Sequence, residues 1–166
     1  MKGLFHTLAL AGRWANGIVF AEMARLSPAQ WTAESAVNFG SMRGIANHLL
    51  LADMLWLNRF TCEGEAPQSV DATPHPALAD LWRARQALDE RIVAFADALD
   101  PARFDSILRY TTTGGAPKAQ AFGLCVAHFF NHQTHHRGQL HALLGAAGVK
   151  CPDIDLLYSP VAQGNA

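Results

Sequence analysis

The sequence predicts an all-α protein built as a four-helix bundle. Apolar residues recur three and four positions apart in four long segments, which is the pattern of helices with one buried face. Proline and glycine residues cluster between these segments, where they favour turns and loops. Of the 166 residues, 50% are hydrophobic and 16% are charged, as is typical of a globular domain. We expect residues 1–166 to form a single domain.

The first helix is predicted from Gly3 to Leu26. Its expected buried stripe consists of Leu4, Leu8, Ala11, Ala15 and Ile18. Proline disfavours helical geometry in the residue before it, so Ser27-Pro28 is predicted to end this helix. A loop should follow as far as Gly40.

Two further helices are predicted in the middle of the chain. Ser41 is the expected N-cap of the second helix, which should run to Phe60, because serine side chains accept hydrogen bonds from the first helical turn. The stretch 63–76 contains one glycine and three prolines and is predicted to be a long connection. The third helix should span 77–99. Its apolar stripe consists of Leu81, Leu88, Ile92, Phe95 and Leu99.

The segment before the last helix differs in composition. Residues 104–120 contain β-branched and aromatic residues around Gly114-Gly115, which predicts a short hairpin or an irregular crossover. The fourth helix should run from Ala119 to Ala147, followed by a coiled tail. The long connections on either side of the third helix permit a crossover in place of simple up-down-up-down order.

Composition excludes several classes of protein. The net charge is −1, so the chain lacks the basic surface that nucleic-acid binding requires. Polar residues interrupt the apolar N-terminal stretch, and no apolar run is long enough to span a bilayer, so neither secretion nor membrane insertion is expected. The three cysteines are widely spaced and odd in number, which predicts reduced thiols in a cytoplasmic protein.

Histidines are concentrated near the C-terminus. Five of the eight fall between His128 and His141. His132 and His136 are four residues apart, so both point to the same face of a helix and can bind one metal ion. Gln133 occupies the position of the glutamate in a zinc-binding HExxH helix, so the motif supplies no general base.

A third ligand would have to come from another helix. His48 lies on the apolar side of the predicted second helix, where a histidine is not needed for solubility. Such a residue is often a hydrogen-bonded core histidine, and a histidine-rich helix is often merely solvated. His128 and His135 lie near the same stripe as His132 and His136, so spacing alone leaves the ligand set open. Either residue could instead bind the second ring nitrogen of a ligand histidine and so orient its ring.

At these residues the sequence resembles the DinB family of metal-binding four-helix bundles. Four stretches in the expected order carry the resemblance: RWAN (13–16), FGSMRGIANHLLLADMLWL (39–57), HFFNHQTHHRGQL (128–140) and GVKCPDIDL (148–156). The most specific element is the HxxxHRGQ signature together with an upstream helical histidine. The family motifs map the metal ligands onto His48, His132 and His136.

The resemblance implies an up-down-down-up topology and a homodimer. It implies one divalent ion, often nickel or zinc, with water at the open positions, and a superfamily that includes enzymes dependent on low-molecular-weight thiols. Around the ligands we expect supporting roles for His128, His135, Arg137, Gln139 and Asp53. Arg137 is expected to form a structural ion pair with Asp53, and Gly138 to permit close helix packing.

Three histidines with open positions are the ligand pattern of a catalytic metal. Because the ligands are neutral, the ion keeps its charge and can activate a bound water or a thiol. One hypothesis is therefore a metal-dependent enzyme that activates a thiol or water for attack on a small electrophile. The alternative is a non-enzymatic binding or stress-response protein in which the metal staples two helices. The first and third helices carry more apolar side chains than one buried face needs, including Trp14, Phe20 and Trp82. This excess independently favours a dimer.

Overall fold

The computed structural model describes residues 2–164 and is mostly helical. The α-helices are α1 (Lys2–Met23), α2 (Pro28–Thr32), α3 (Met42–Thr61), α4 (Leu78–Asp97) and α5 (Phe122–Ala146). Strands β1 (Ile107–Thr111) and β2 (Pro117–Ala121) form a two-stranded antiparallel sheet. Short 3₁₀ helices occupy Pro101–Arg103, Leu156–Tyr158 and Pro160–Gln163. The predicted first to fourth helices correspond to α1, α3, α4 and α5.

Helices α1 and α4 pack against each other in opposite directions. The Asn16 amide donates to the Asp89 carboxylate at 3.0 Å, and one turn further along α1 the rings of Phe20 and Trp82 stack with their centres 4.8 Å apart. Residue numbers thus rise along α1 while they fall along α4.

Helices α1 and α5 run in the same direction. The rings of Phe5 and Phe130 stack at 5.6 Å. Further along both helices, a Cβ built on Gly12 would lie 3.5 Å from the Arg137 guanidinium. Gly12 is buried, so this small residue gives the arginine room against α1.

Helices α3 and α4 also run in the same direction. The Arg85 guanidinium donates to the Asp53 carboxylate at 2.7 Å, and the rings of Phe60 and Phe95 stack at 5.1 Å. The Phe60 ring also contacts Phe122 at the start of α5, at 5.5 Å. Aromatic packing therefore ties α3, α4 and α5 together at one end of the molecule.

The predicted buried stripes are confirmed in part. Along α4, Leu81, Leu88 and Ile92 are each at most 3% exposed, as predicted. On α1 the prediction is wrong at its start, because Leu4 is 55% exposed whereas the neighbouring Phe5 is 6% exposed. Phe5 turns inward because it stacks on both Phe104 and Phe130.

The segment between the first two predicted helices, which was predicted to be a loop, contains a short helix. Helix α1 ends at Met23, and Ser27-Pro28 begins α2 rather than ending α1. The Ser27 side chain accepts from the Gln30 backbone N–H, and the Gln30 side chain caps Ser27 in return. Proline is well tolerated at the first helical position because its missing N–H needs no partner there. Ser41 caps α3 as predicted, accepting from the Gly44 N–H at 3.1 Å.

A hairpin precedes α5, which confirms one of the two predicted alternatives. Register places Tyr110 opposite Lys118 and Ile107 opposite Ala121. The second strand extends through Ala121, so α5 begins at Phe122 and not at the predicted Ala119.

Within residues 2–164, no helix combines the length and apolar character needed to cross a membrane.

Candidate metal centre

Helix α5 supplies two of the clustered histidines. His132 and His136 lie one turn apart, and the helix is unbroken from Phe122 to Ala146. Their ring centres are 4.3 Å apart, and their Nε2 atoms are separated by 3.1 Å. The i, i+4 spacing therefore places both Nε2 atoms at one point beside the helix, as predicted.

Helix α3 brings the third histidine to the same point. The Nε2 atom of His48 lies 3.4 Å from that of His132, and the ring centres of His48 and His136 are 4.6 Å apart. One ligand atom from each of these three residues lies within 4.8 Å of the others. The structure thus brings together the three histidines that the family resemblance selected.

Hydrogen bonds at the outer nitrogens orient two of the rings. His48 Nδ1 donates to the Val70 carbonyl oxygen at 2.9 Å, and His136 Nδ1 donates to Gln139 Oε1 at 2.8 Å. In a neutral imidazole, a hydrogen on Nδ1 leaves a lone pair on Nε2. His48 Nε2 and His136 Nε2 therefore each direct a lone pair into the cluster, and neither atom carries a hydrogen.

Burial keeps the three rings neutral. It lowers the pKa of His132 to about 3, an effect reinforced by the neighbouring histidines. It lowers the pKa of His136 to about 4, although the bond to Gln139 works in the opposite direction. The pKa of His48 is also lowered by burial, against the bond to Val70 and the charge of Asp71. Only the neutral form of histidine binds a metal, so the site is prepared at neutral pH.

Two connections cover the cluster. The ring of Phe39, in the α2–α3 connection, stacks on His48 with ring centres 3.7 Å apart. The α3–α4 connection brings Val70 to His48 and is held by Asn47, whose side chain accepts from the His75 N–H and donates to the His75 carbonyl. Roles for Phe39 and Val70 could not be predicted, because a loop that packs on a histidine leaves no periodic signal in the sequence.

The other predicted supporting histidines lie at the edge of the cluster. The ring centre of His128 is 5.7 Å from that of His132, and it packs against Trp56. The exposed His135 is 4.8 Å from His136, ring centre to ring centre. Gln139 holds His136, as described above. His132 Nδ1 is buried and has no hydrogen-bond partner within residues 2–164.

The predicted ion pair between Arg137 and Asp53 is wrong. Asp53 pairs with Arg85 at 2.7 Å, and Arg85 also lies 2.9 Å from Asp89. Arg137 is buried beside this group, where burial lowers its pKa to about 10 while the charge of Asp53 opposes that shift. Asp53, Arg85, Asp89 and Arg137 form a buried ion cluster, and within residues 2–164 none of them hydrogen-bonds to the three histidines. Arg85 went unnoticed because its sequence neighbours on α4 carry many charges.

The donor set fits a divalent metal ion. Three imidazole nitrogens at neutral pH suit zinc, nickel, copper or iron, and they supply no charge that would neutralise the ion. Nε2 atoms 3.1–3.4 Å apart are close enough to share one ion at the usual nitrogen–zinc distance of about 2.0–2.1 Å. The lone pairs of His48 and His136 are both directed towards such a shared position.

Fold and site together define a class: mostly helical proteins with a three-histidine cluster assembled from two helices. Within that class the chain belongs to the DinB family, whose sequence pattern matches residues 2–165. The chain is also similar to Protein DinB of Bacillus subtilis (strain 168), with 23% identity over 141 residues and 81% of each chain covered. A search of solved structures gave no match.

Proposed function

We propose that this protein binds one divalent metal ion, nickel or zinc, through His48, His132 and His136. The observation that carries the proposal is the convergence of three neutral imidazoles, whose ligand atoms lie within 4.8 Å of one another. Membership of the DinB family supports it independently. Three protein ligands leave coordination positions open for water or for a small molecule.

The chemistry best suited to this site is activation of a nucleophile. A divalent ion with three neutral ligands lowers the pKa of a bound water or thiol and so generates a nucleophile at neutral pH. We propose a thiol-dependent transferase or a hydrolase that acts on a small electrophile, with a low-molecular-weight thiol as the additional cofactor. The histidines hold the ion, and Gln139 and the Val70 carbonyl fix the direction of two of the rings.

A structural metal is the second candidate. His48 and His136 are only 6% and 5% exposed, and Phe39 covers His48. An ion enclosed in this way would join α3 to α5 without reacting. Exchange of metal-bound water distinguishes the two functions, since a catalytic ion requires a water or a substrate in contact with it.

The packing of the helices supports a particular bundle topology. Helix α1 is antiparallel to α4 and parallel to α5, while α3 runs in the same direction as α4. We propose that α1, α3, α4 and α5 form a single-domain four-helix bundle with up-down-down-up order. In this arrangement the metal lies between the second and fourth helices of the bundle.

We also propose a cytoplasmic homodimer, on the grounds given by the sequence. The apolar excess that favoured the dimer is partly accounted for within the chain, since Phe20 and Trp82 stack on each other. Trp14 remains, at a cavity that it shares with His6, Leu10 and Val161. Light scattering at micromolar protein tests the proposal, and a mass near 18.0 kDa, that of one chain, would contradict it.

Metal analysis of purified variants tests the proposed site. The wild type should bind one zinc or nickel ion per chain after reconstitution. Single replacements His48→Ala, His132→Ala and His136→Ala should each abolish stoichiometric binding, because two imidazoles hold an ion only weakly. Helicity is measured on the same samples to exclude unfolding. Activity of the loaded protein is then screened with thiols and small electrophiles.

His141→Ala is the matched control on the same helix. Among the described residues 2–164, His141 has a side-chain hydrogen bond to the Pro152 carbonyl alone, at 3.1 Å, and it should be replaceable without loss of metal. If the His48 variant kept its metal while His128→Ala lost it, the site would be a cluster on one helix, and the assignment of His48 would be wrong.

A further inference from the structure

A cavity lies beside the histidine cluster, between the hairpin and the groove formed by α3 and α5. Its volume is about 270 Å³. The lining residues are Trp56, Tyr110, Gln120, Leu124, Cys125 and His128. Trp56 comes from α3, Tyr110 and Gln120 come from the two strands, and the rest come from α5. The hairpin therefore supplies one wall of the cavity.

Arg59 fixes that wall in place. Its Nη2 donates to the Thr111 carbonyl of β1 at 3.0 Å. Its guanidinium lies 4.7 Å from the ring centre of Trp56 and 4.4 Å from that of Tyr110. Cation–π contacts of this kind hold both rings in position before any ligand arrives.

The shape and charge of the cavity favour a flat, uncharged ligand. Trp56 meets Tyr110 and His128 edge to face, with ring centres 5.3 and 5.2 Å apart. Aromatic walls attract a flat π-system through offset or edge contacts. None of the lining residues is acidic, and Arg59 already occupies the faces of Trp56 and Tyr110, so a cationic ligand is disfavoured.

Polar groups at the cavity favour a ligand that accepts a hydrogen bond. The Tyr110 hydroxyl donates to Gln120 Oε1 at 2.5 Å, which leaves the Gln120 amide N–H groups as donors. Cys125 offers a polarisable surface and not a nucleophile, because burial raises the pKa of its thiol even though Arg59 lowers it. A carbonyl oxygen on a flat ring matches this combination.

His128 joins this cavity to the proposed metal site. Its ring packs on Trp56 on one side, and its centre is 5.7 Å from that of His132. One imidazole thus separates the cavity from the three converging Nε2 atoms. A ligand in the cavity would lie at the edge of the site where a nucleophile is proposed to be activated.

We propose that this cavity binds a neutral compound with one aromatic ring and a carbonyl oxygen, and that the electrophiles of the reaction are aryl carbonyl compounds with a leaving group, such as aryl esters. The carbonyl carbon would gain a bond to the oxygen of water or the sulfur of the thiol and lose its bond to the ester oxygen, and the alcohol would leave with the proton of the nucleophile. The second half of this proposal rests on the proposed function. The first half does not, because the cavity is formed by side chains that require no metal.

Binding of acetophenone, compared with cyclohexyl methyl ketone, tests the ligand class. The two ketones have similar size, but only the first has a flat ring. Aromatic contacts are worth about 0.5–1.5 kcal/mol, so acetophenone should bind roughly twofold to tenfold more tightly. Both are titrated by NMR into the zinc-loaded and the metal-free full chain. Equal affinities, or tighter binding of phenyltrimethylammonium, would overturn the proposed ligand.

Variants locate the binding site. Trp56→Leu should remove the preference for the flat ring, and Gln120→Leu should weaken acetophenone binding severalfold. Gln120 is an exposed strand residue, so this variant tests the proposal even if Trp56→Leu fails to fold. Trp14→Leu alters another cavity and is the matched control. Acetophenone binding that is unchanged in both cavity variants would overturn the assignment.

A paramagnetic ion tests the link to the reaction. Cobalt should bind the same imidazole ligands as zinc. If the cavity adjoins the metal, the acetophenone resonances should broaden more with cobalt-loaded than with zinc-loaded protein. Equal broadening would overturn the role of the ligand as electrophile. Failure of the chain to bind any metal would overturn that role together with the proposed function, whereas the metal-free titration would still decide whether the cavity binds aryl carbonyls.

Discussion

The ion cluster and the histidine cluster both bury polar side chains, but they differ in how the charges of those side chains are balanced. In the ion cluster, the carboxylates of Asp53 and Asp89 face the Arg85 guanidinium at 2.7 and 2.9 Å. In the histidine cluster, His48 and His136 both turn an acceptor nitrogen towards His132, because each holds its hydrogen on Nδ1. The first cluster carries its own compensating charges, whereas the second lacks a positive partner.

This difference separates a structural ion cluster from a candidate metal site. Buried polar groups are normally satisfied by partners within the protein, because an unpaired one costs free energy. Asp89 follows this rule, since it also accepts from the Asn16 amide at 3.0 Å. Within the described part of the chain, unpaired buried atoms occur in both clusters, at Asp53 Oδ1 and Arg85 Nε in the first and at His132 Nδ1 in the second. The clusters therefore differ in charge: the first pairs opposite charges, whereas in the second the lone pairs of His48 and His136 converge and no cationic side chain of residues 2–164 faces them. Such an arrangement suits a bound cation.

The largest effect that we predict is on stability, from breaking the ion cluster. Arg85→Met should lower the free energy of unfolding by about 3–5 kcal/mol, because it leaves two carboxylates buried without their partner. Urea unfolding of the metal-free protein measures this. The fraction that remains folded should still bind one metal ion, since no histidine is altered.

An exposed ion pair between the same kinds of residue gives the matched control. Arg13 contacts Glu90 at 3.0 Å, but the two side chains are 43% and 66% exposed. Arg13→Met should therefore cost only about 0–1 kcal/mol. Equal costs for the two replacements, or loss of metal from folded Arg85→Met, would show that the two clusters do not have the separate roles given to them.

A smaller effect is predicted at the outer nitrogen of His136. Gln139→Leu removes the acceptor of the 2.8 Å bond from Nδ1, so the ring loses its fixed direction. Partners of this kind are typically worth about 10–100-fold in metal affinity. Competition with a zinc-binding dye measures the affinity, and His141→Ala serves as the control on the same helix. Unchanged affinity in Gln139→Leu would mean that the bond does not orient the ligand.

The sequence predicted the histidine cluster better than the ion cluster. The spacing of His132 and His136 fixed their common face, and the family resemblance added His48 from another helix. The partner of Asp53 was not predicted correctly. Several arginines could pair with this buried carboxylate, and the choice depends on how the helices are rotated against each other. Arg137 and Arg85 lie on α5 and α4, and sequence spacing within one helix contains no information about the choice between them.

The elements between the long helices show the same limit. The hairpin followed from β-branched residues and a Gly-Gly turn, whereas α2 was missed because its Ser-Pro start was interpreted as a helix end. Local signals of this kind identify a boundary, but they do not always identify which side of the boundary is helical. The cavity wall formed by Tyr110 and Gln120 could not be predicted at all, since it depends on where the hairpin packs.

The smallest effect that we predict is a difference in how the clusters respond to acid. The folded pKa values of His132 and His136 are lowered to about 3 and about 4, below the ordinary value of 6.5. Their contribution to stability is therefore complete above pH 6.5 and is lost as the pH falls towards those values, because the unfolded chain binds protons first. Asp53, whose pKa is raised to about 6 by burial against the opposing effect of Arg85, acts in the opposite sense, and its contribution is lost as the pH rises through 6.

Comparing the wild type with a variant isolates the histidine contribution from that of Asp53. The metal-free wild type should lose stability between pH 7 and pH 5, and the combined variant His132→Ala, His136→Ala should lose less over the same interval. We expect the two losses to differ by about 1–2 kcal/mol, because a full pKa unit is worth about 1.4 kcal/mol and partly solvated rings realise only part of it. Urea unfolding at both pH values measures the difference. Parallel losses in the two proteins would mean that the histidines are not held neutral in the folded state, and the cluster would then resemble the ion cluster in carrying its own charge.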